Sequence, residues 1–175
     1  MQIGKYKLSI IESGLFGLDG GAMFGIIPKV LWQKTNPPDE TNRVKLSTRH
    51  LLLESNSKKI LIDTGMGNKW DDKARNIYAI DESSSMNSAL AQRGLKTEDI
   101  TDIILTHLHF DHSGGSTIIK DGKHEPAFPN ANYFVQKQNF HWARNSSDRD
   151  KGSYRKENCI PLLEEGVLNF MIGNA

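Results

Sequence analysis

Directly after the apolar run Ile103-Ile104-Leu105 comes Thr106-His107-Leu108-His109-Phe110-Asp111-His112-Ser113-Gly114-Gly115, which places three histidines and an aspartate within six positions. On a strand, alternate side chains share a face, so His107 and His109 can point the same way and grip one cation. Asp111 and His112 follow where Ser113-Gly114-Gly115 frees the backbone to turn, which lets them face a neighbouring position. The spacing predicts a short buried strand delivering a loop that can hold two cations side by side. Without a metal, the same loop would crowd three imidazoles and a carboxylate into a partly buried turn, where polar groups need partners.

The rest of the composition narrows which metal chemistry is open. Cys159 is the only cysteine, which removes thiolate-rich zinc sites, iron-sulfur clusters and any internal disulfide, so the donors are nitrogen and oxygen. Lys plus Arg number 22 against 21 for Asp plus Glu, and this balance provides no large basic field for nucleic acid or an anionic membrane. No segment approaches the ~18 apolar residues of a membrane span, and the first residues lack both an apolar core and a small-residue cleavage site. A cytoplasmic chain is expected. At 175 residues it is one domain's worth, and no repeat or low-complexity tract divides it.

Strands are expected over 6–11, 43–54 and 59–63, the last two joined by the polar turn Ser55-Asn56-Ser57-Lys58. Gly20-Gly21-Ala22-Met23-Phe24-Gly25 carries too much glycine for a helix or central strand and reads as a flexible loop with an apolar tip. A helix with a serine N-cap follows Ser84-Ser85 and ends before Gly94. Asp121-Gly122 marks a turn. Strands over 132–136 and 167–172 alternate with helices over 137–144 and 160–165, which argues an α/β layered domain. Outside the loop, His50 and His124 have no acidic or histidine neighbour at ligand spacing and read as ordinary structure. His141 lies on an aromatic helix face, with a distant ligand as the alternative.

His107, His109, Asp111 and His112 complete an H-x-H-x-D-H string that resembles the signature of the metallo-β-lactamase superfamily. Leu61-Ile62-Asp63-Thr64-Gly65 is similar to that family's strand-end motif, whose aspartate stands behind the ligand histidines and orients them; the alternative is a carboxylate that caps a turn. Leu18-Asp19-Gly20-Gly21-Ala22-Met23-Phe24-Gly25 and the histidine string look like the branch that contains N-acyl homoserine lactonases and methyl parathion hydrolase. By that resemblance Met23 and Phe24 form an apolar wall for substrate, unless they are core residues.

The resemblance implies a four-layer αββα sandwich with a metal site at one edge. Only the first half of the family pattern, and a little more, has a counterpart here. No histidine follows His141, so the family's third histidine for the first metal, its bridging aspartate and its last histidine have no matches. The expectation is a single domain, 1–175, that ends before the third ligand histidine. A sandwich without its second sheet leaves an apolar face open and is expected to self-associate. The family's chemistry implies two divalent cations, zinc first, with manganese, iron or cobalt allowed. His107 and His109 would serve one and Asp111 and His112 the other, and Asp111 would also pass a proton to the leaving group. The implied substrate is a lactone or other ester, an acyl homoserine lactone first, with little turnover from this chain alone. The alternative is a metal-binding or interaction fragment without catalysis, and a nuclease role ranks last for want of basic surface.

Overall fold

The computed structural model describes residues 1–81 and 83–173. In chain order it forms β1 (Gln2–Ile3), β2 (Tyr6–Asp19), α1 (Gly20–Phe24), α2 (Lys29–Trp32), β3 (Arg43–Glu54), β4 (Lys59–Ile62), α3 (Asp72–Ile77) and α4 (Met86–Ala91). Then come β5 (Asp102–Leu105), α5 (Phe110–Ser113), β6 (Thr117–Lys120), β7 (Lys123–Pro126), β8 (Asn132–Gln136), α6 (Lys137–Arg144), α7 (Ile160–Glu164) and β9 (Leu168–Met171). Among the described residues no helix is long and apolar enough to cross a membrane.

Seven strands make one sheet in the order β1-β2-β3-β4-β5-β8-β9, and β6 and β7 pair separately. The pairs from β1 to β4 are antiparallel, whereas those from β4 through β5 and β8 to β9 are parallel. Period-two alternation explains which side faces the helices. Leu52, Leu61, Ile103, Tyr133 and Leu168 stand in register across five strands, and all are buried. They pack beneath Ala89 and Leu90 of α4, Phe140 and Ala143 of α6, and Leu162 of α7. The opposite face carries Leu51, Ile62, Ile104 and Phe134 in a parallel row that is only half-buried, and Ile10 beside Leu51 is 64% exposed. One face is covered by helices, as expected of a partial αββα sandwich. The parallel pairing of β4 and β5 also brings their carboxyl ends together, the position where open α/β sheets place their ligands.

Several expected elements form as read, including β3, β8 and α6. The Asp121-Gly122 turn closes the β6–β7 hairpin with both residues at positive φ, 50° and 77°. Two expectations need correction. The strand expected over 6–11 continues to Asp19, because the apparent break at Ser13-Gly14 is absorbed as a bulge between Glu12 and Leu15. The glycine-rich segment expected to be a loop is the helix α1. Asp19 caps it by accepting a hydrogen bond from the Ala22 amide at 2.8 Å, and Phe24 stacks on Trp32 at 4.8 Å. A further helix, α3, went unread although Asp71 caps it in the same way, at 2.7 Å from the Ala74 amide.

Replacing Leu61 with alanine opens a cavity in the fully buried row and is expected to cost about 2–5 kcal/mol, read as a lower urea midpoint with an unchanged slope. His50 sits in the same layer with 3% exposure, and burial pushes its imidazolium down to about 4 despite the attraction of Asp63. Between pH 6.5 and about 4 the unfolded chain therefore binds a proton that the folded His50 refuses, so stability falls as the pH drops through that window. The full loss is on the order of 3 kcal/mol, and a His50→Gln variant should show a correspondingly flatter acid dependence in melts across that range.

Candidate metal centre

Asp63 follows β4 directly and the histidine loop follows β5. The chain turns at Asp63 with φ at 60°, a left-handed conformation that costs a non-glycine residue on the order of 1–3 kcal/mol. The surroundings hold it there. Its amide donates to the Ile104 carbonyl at 2.9 Å, and its carboxylate accepts from the Thr106 amide at 2.8 Å and from the Thr106 hydroxyl. The second carboxylate oxygen lies 2.8 Å from Nδ1 of His112. With the proton on Nδ1, the Nε2 lone pair of His112 is directed away from Asp63, toward Oδ2 of Asp111 at 3.4 Å.

Leu108 and Phe110 are buried and anchor the loop, so the intervening His107 and His109 turn the other way and stay half-exposed. The ring centroids of His107 and His109 are 4.6 Å apart, and those of His107 and His112 are 4.0 Å apart. Nδ1 of His107 lies 3.1 Å from the Thr106 hydroxyl. Backbone contacts lock this loop to the Asp63 turn. The Thr64 amide donates to the His112 carbonyl at 2.7 Å and the Gly115 amide to the Gly65 carbonyl at 2.9 Å. A Cβ on Gly67 would collide with the Gly114 carbonyl, and one on Gly115 with the Thr64 carbonyl, so the two segments approach as closely as backbone allows.

Burial lowers the pKa of His107 and His109, helped by the neighbouring imidazoles, and so favours their neutral, ligating forms. Burial also acts against the His112 cation, but the Asp63 hydrogen bond and the nearby Asp111 outweigh it and raise that group. Asp63 shows the complementary effect. Burial pushes it up, while His112 and Thr106 pull it further down, so it is held as a carboxylate.

The structure thus gathers His107, His109, Asp111 and His112 at one sheet edge with Asp63 behind them. Their nitrogen and oxygen chemistry fits a divalent cation such as zinc. The ring of His107 lies closer to that of His112 than to that of His109. Among the described residues, no three His, Cys, Asp or Glu side chains stand in a geometry that closes around one ion. The donors fit in kind, but shared between two cations they supply two protein ligands each, short of the three usual for catalytic zinc.

Met23 and Phe24, expected near the site, stand on α1. Phe24 is engaged with Trp32, and Met23 is 46% exposed rather than part of the core. His124 lies in β7 opposite Ile119, and His141 is exposed on α6. Three neighbours of the site went unread. Thr106 was readable from its place between strand and histidine. Tyr154, whose ring lies 4.8 Å from that of His109, and Lys69, whose ammonium donates to the Gly114 and Thr117 carbonyls, come from distant segments with no local signal. Burial lowers Lys69 to about 8.

The chain is similar to known proteins over most of its length. The profile of the metallo-beta-lactamase superfamily matches residues 49–170. An N-acyl homoserine lactonase from Bacillus sp is 29% identical over 127 residues, 67% of this chain and 45% of that protein. One from Bacillus cereus is 28% identical over 137 residues, 73% of this chain and 49% of that protein. Among solved structures, a probable metal-dependent hydrolase from Staphylococcus aureus superposes with a TM-score of 0.85 at 32% identity, covering 98% of this chain and 60% of that one. AidC, a dizinc quorum-quenching lactonase, superposes at 0.72 with 26% identity, over 100% of this chain and 61% of its own. The chain spans about half the length of the curated lactonases it matches. With the profile covering most of its length and the histidine loop standing at the carboxyl ends of β4 and β5, this chain belongs to the metallo-beta-lactamase superfamily.

Proposed function

We propose that this chain is the N-terminal portion of a metal-dependent hydrolase that opens a lactone or another ester, with an acyl homoserine lactone as first choice. The observation that carries the reading is the gathering of three imidazoles and Asp111 in front of an Asp63 carboxylate that already orients His112. The lactonase relatives favour the cyclic ester over thioesters and phosphotriesters.

In this reading His107 and His109 hold one divalent cation and Asp111 and His112 a second, zinc first, with manganese, iron or cobalt permitted by the donors. When bound, such a pair supplies Lewis-acid polarisation of an ester carbonyl and a nucleophilic water at neutral pH. The chain's own part is orientation and proton handling. Asp63 keeps the Nδ1 proton of His112 in place and so fixes which nitrogen is offered forward. Asp111 Oδ2 lies at the front of the cluster, where a carboxylate can carry a proton to the departing alkoxide. Met23 and Phe24 are assigned an apolar wall at the site's mouth, with the exposed Met23 available to a substrate's acyl chain. The cytoplasm is the proposed compartment.

A second reading, a metal-binding or interaction fragment without catalysis, draws support from the donor count and the absence of a closed three-ligand group among the described residues. Two measurements separate them. In the longest natural protein that carries these residues, His109→Ala should lower bound metal and cut lactone turnover by more than about 100-fold, and Asp63→Ala should cost about 10–100-fold. Equal activity in wild type and His109→Ala would remove the enzyme reading, while robust zinc-dependent hydrolysis by residues 1–175 alone would show that the ligand count is misjudged. The half-bare row of Leu51, Ile62, Ile104 and Phe134 is proposed to drive self-association of residues 1–175. Light scattering and a dye for apolar surface test it, and a monodisperse monomer that binds no dye would count against it.

A further inference from the structure

Beneath the Asp63 turn lies a hydrogen-bonded group that the proposed chemistry does not use. His50 is nearly completely buried, and its Nε2 lies 2.7 Å from the Ser13 hydroxyl. Ser13 lies in turn 3.0 Å from the Thr48 hydroxyl, which donates to the Gly14 carbonyl at 3.0 Å. The bulge between Glu12 and Leu15 is what turns Ser13 toward β3. This is an unusual place for an imidazole. Its layer mates are Ile11 and Leu52, and burying the ring carries a desolvation cost that an apolar side chain would avoid.

The location gives that cost a purpose. Leu51 pairs with Ile62, so His50 lies alongside Asp63 just past the end of the neighbouring strand. Gly65, with φ at 74°, rests directly on the pair: a Cβ there would stand 2.7 Å from the Ser13 hydroxyl and 3.2 Å from Nε2 of His50. On its other side Gly65 accepts the Gly115 amide and bridges to Ser113. The Asp63–Gly65 turn is thus clamped between the histidine loop above and the Ser13–His50 pair below. We propose that Ser13 and His50 are positioning residues that set the height of this turn and, through Asp63, the orientation of the His112 ring. Ser13 also lines a cavity of about 310 Å³ that includes Thr48, Thr64, Met86 and Phe128.

The inference rests on the proposed metal centre for what the positioning serves, and its test separates the two. In the metal-free full chain, the His112 Nδ1 proton bonded to Asp63 is read by nitrogen-edited NMR, and Co(II) affinity is then read by visible absorption. His50→Phe keeps the ring and removes the nitrogens, His50→Gln keeps a polar atom for Ser13, and Ser13→Ala leaves the imidazole in place. His50→Phe and Ser13→Ala are expected to shift or broaden the His112 signal and to weaken Co(II) binding by about tenfold, while His50→Gln stays within about twofold of wild type. If His50→Phe fails to fold, Ser13→Ala decides. An unchanged His112 signal in a folded His50→Phe or Ser13→Ala chain overturns the proposal, even where the melting temperature falls. Equal loss in His50→Phe and His50→Gln overturns it too. If wild type takes no Co(II), or takes it as well with His109→Ala, the metal reading fails and the NMR signal alone judges the positioning.

Discussion

The Asp63 carboxylate joins the two segments on which the site depends. One side chain accepts from the amide and hydroxyl of Thr106 and engages His112, so the end of β4 is tied to both ends of the histidine loop. Parallel pairing of β4 and β5 makes this possible, because it delivers both segments to the same sheet edge. The left-handed turn at Asp63 is the local cost, and the bonds around it outweigh that strain. Fold and candidate chemistry meet in this one residue.

Much of this was legible in the sequence, for reasons that differ by element. The β3, β8 and α6 segments could be bounded because their apolar spacing and flanking polar residues agree with their burial. The H-x-H-x-D-H string and the Asp63-Thr64-Gly65 turn were readable because residue types that need partners were crowded where side chains from one edge converge. The far half of β2 was not, since Ser13-Gly14 carries a turn's composition and becomes a bulge only because β3 is long enough to pair across it. The helix α1 escaped for a similar reason. Its glycines argue against it, and the Asp19 cap and the Trp32 ring that compensate lie outside the segment. Tyr154 and Lys69 reach the site from loops whose placement depends on the finished fold, so no local spacing could have named them.

The sheet is asymmetric in a way that bears on both fold and function. Its helix-side face is closed by α4, α6 and α7 over fully buried leucines, isoleucine and tyrosine, whereas the other face holds an equally apolar row that is only half covered. A layered α/β unit normally buries both faces of a parallel sheet. At the sheet's edge, among the described residues, no three His, Cys, Asp or Glu side chains close around one ion.

The close backbone approach of Gly67 to Gly114 and of Gly115 to Thr64 has a consequence for how this region can vary. Where main chain meets main chain there is no side chain to shrink, swap or repack, so sequence drift cannot adjust the spacing of these two segments in small increments. Change at this edge of the molecule is therefore easier in a neighbouring loop, such as the one that carries Tyr154, than in the seam itself.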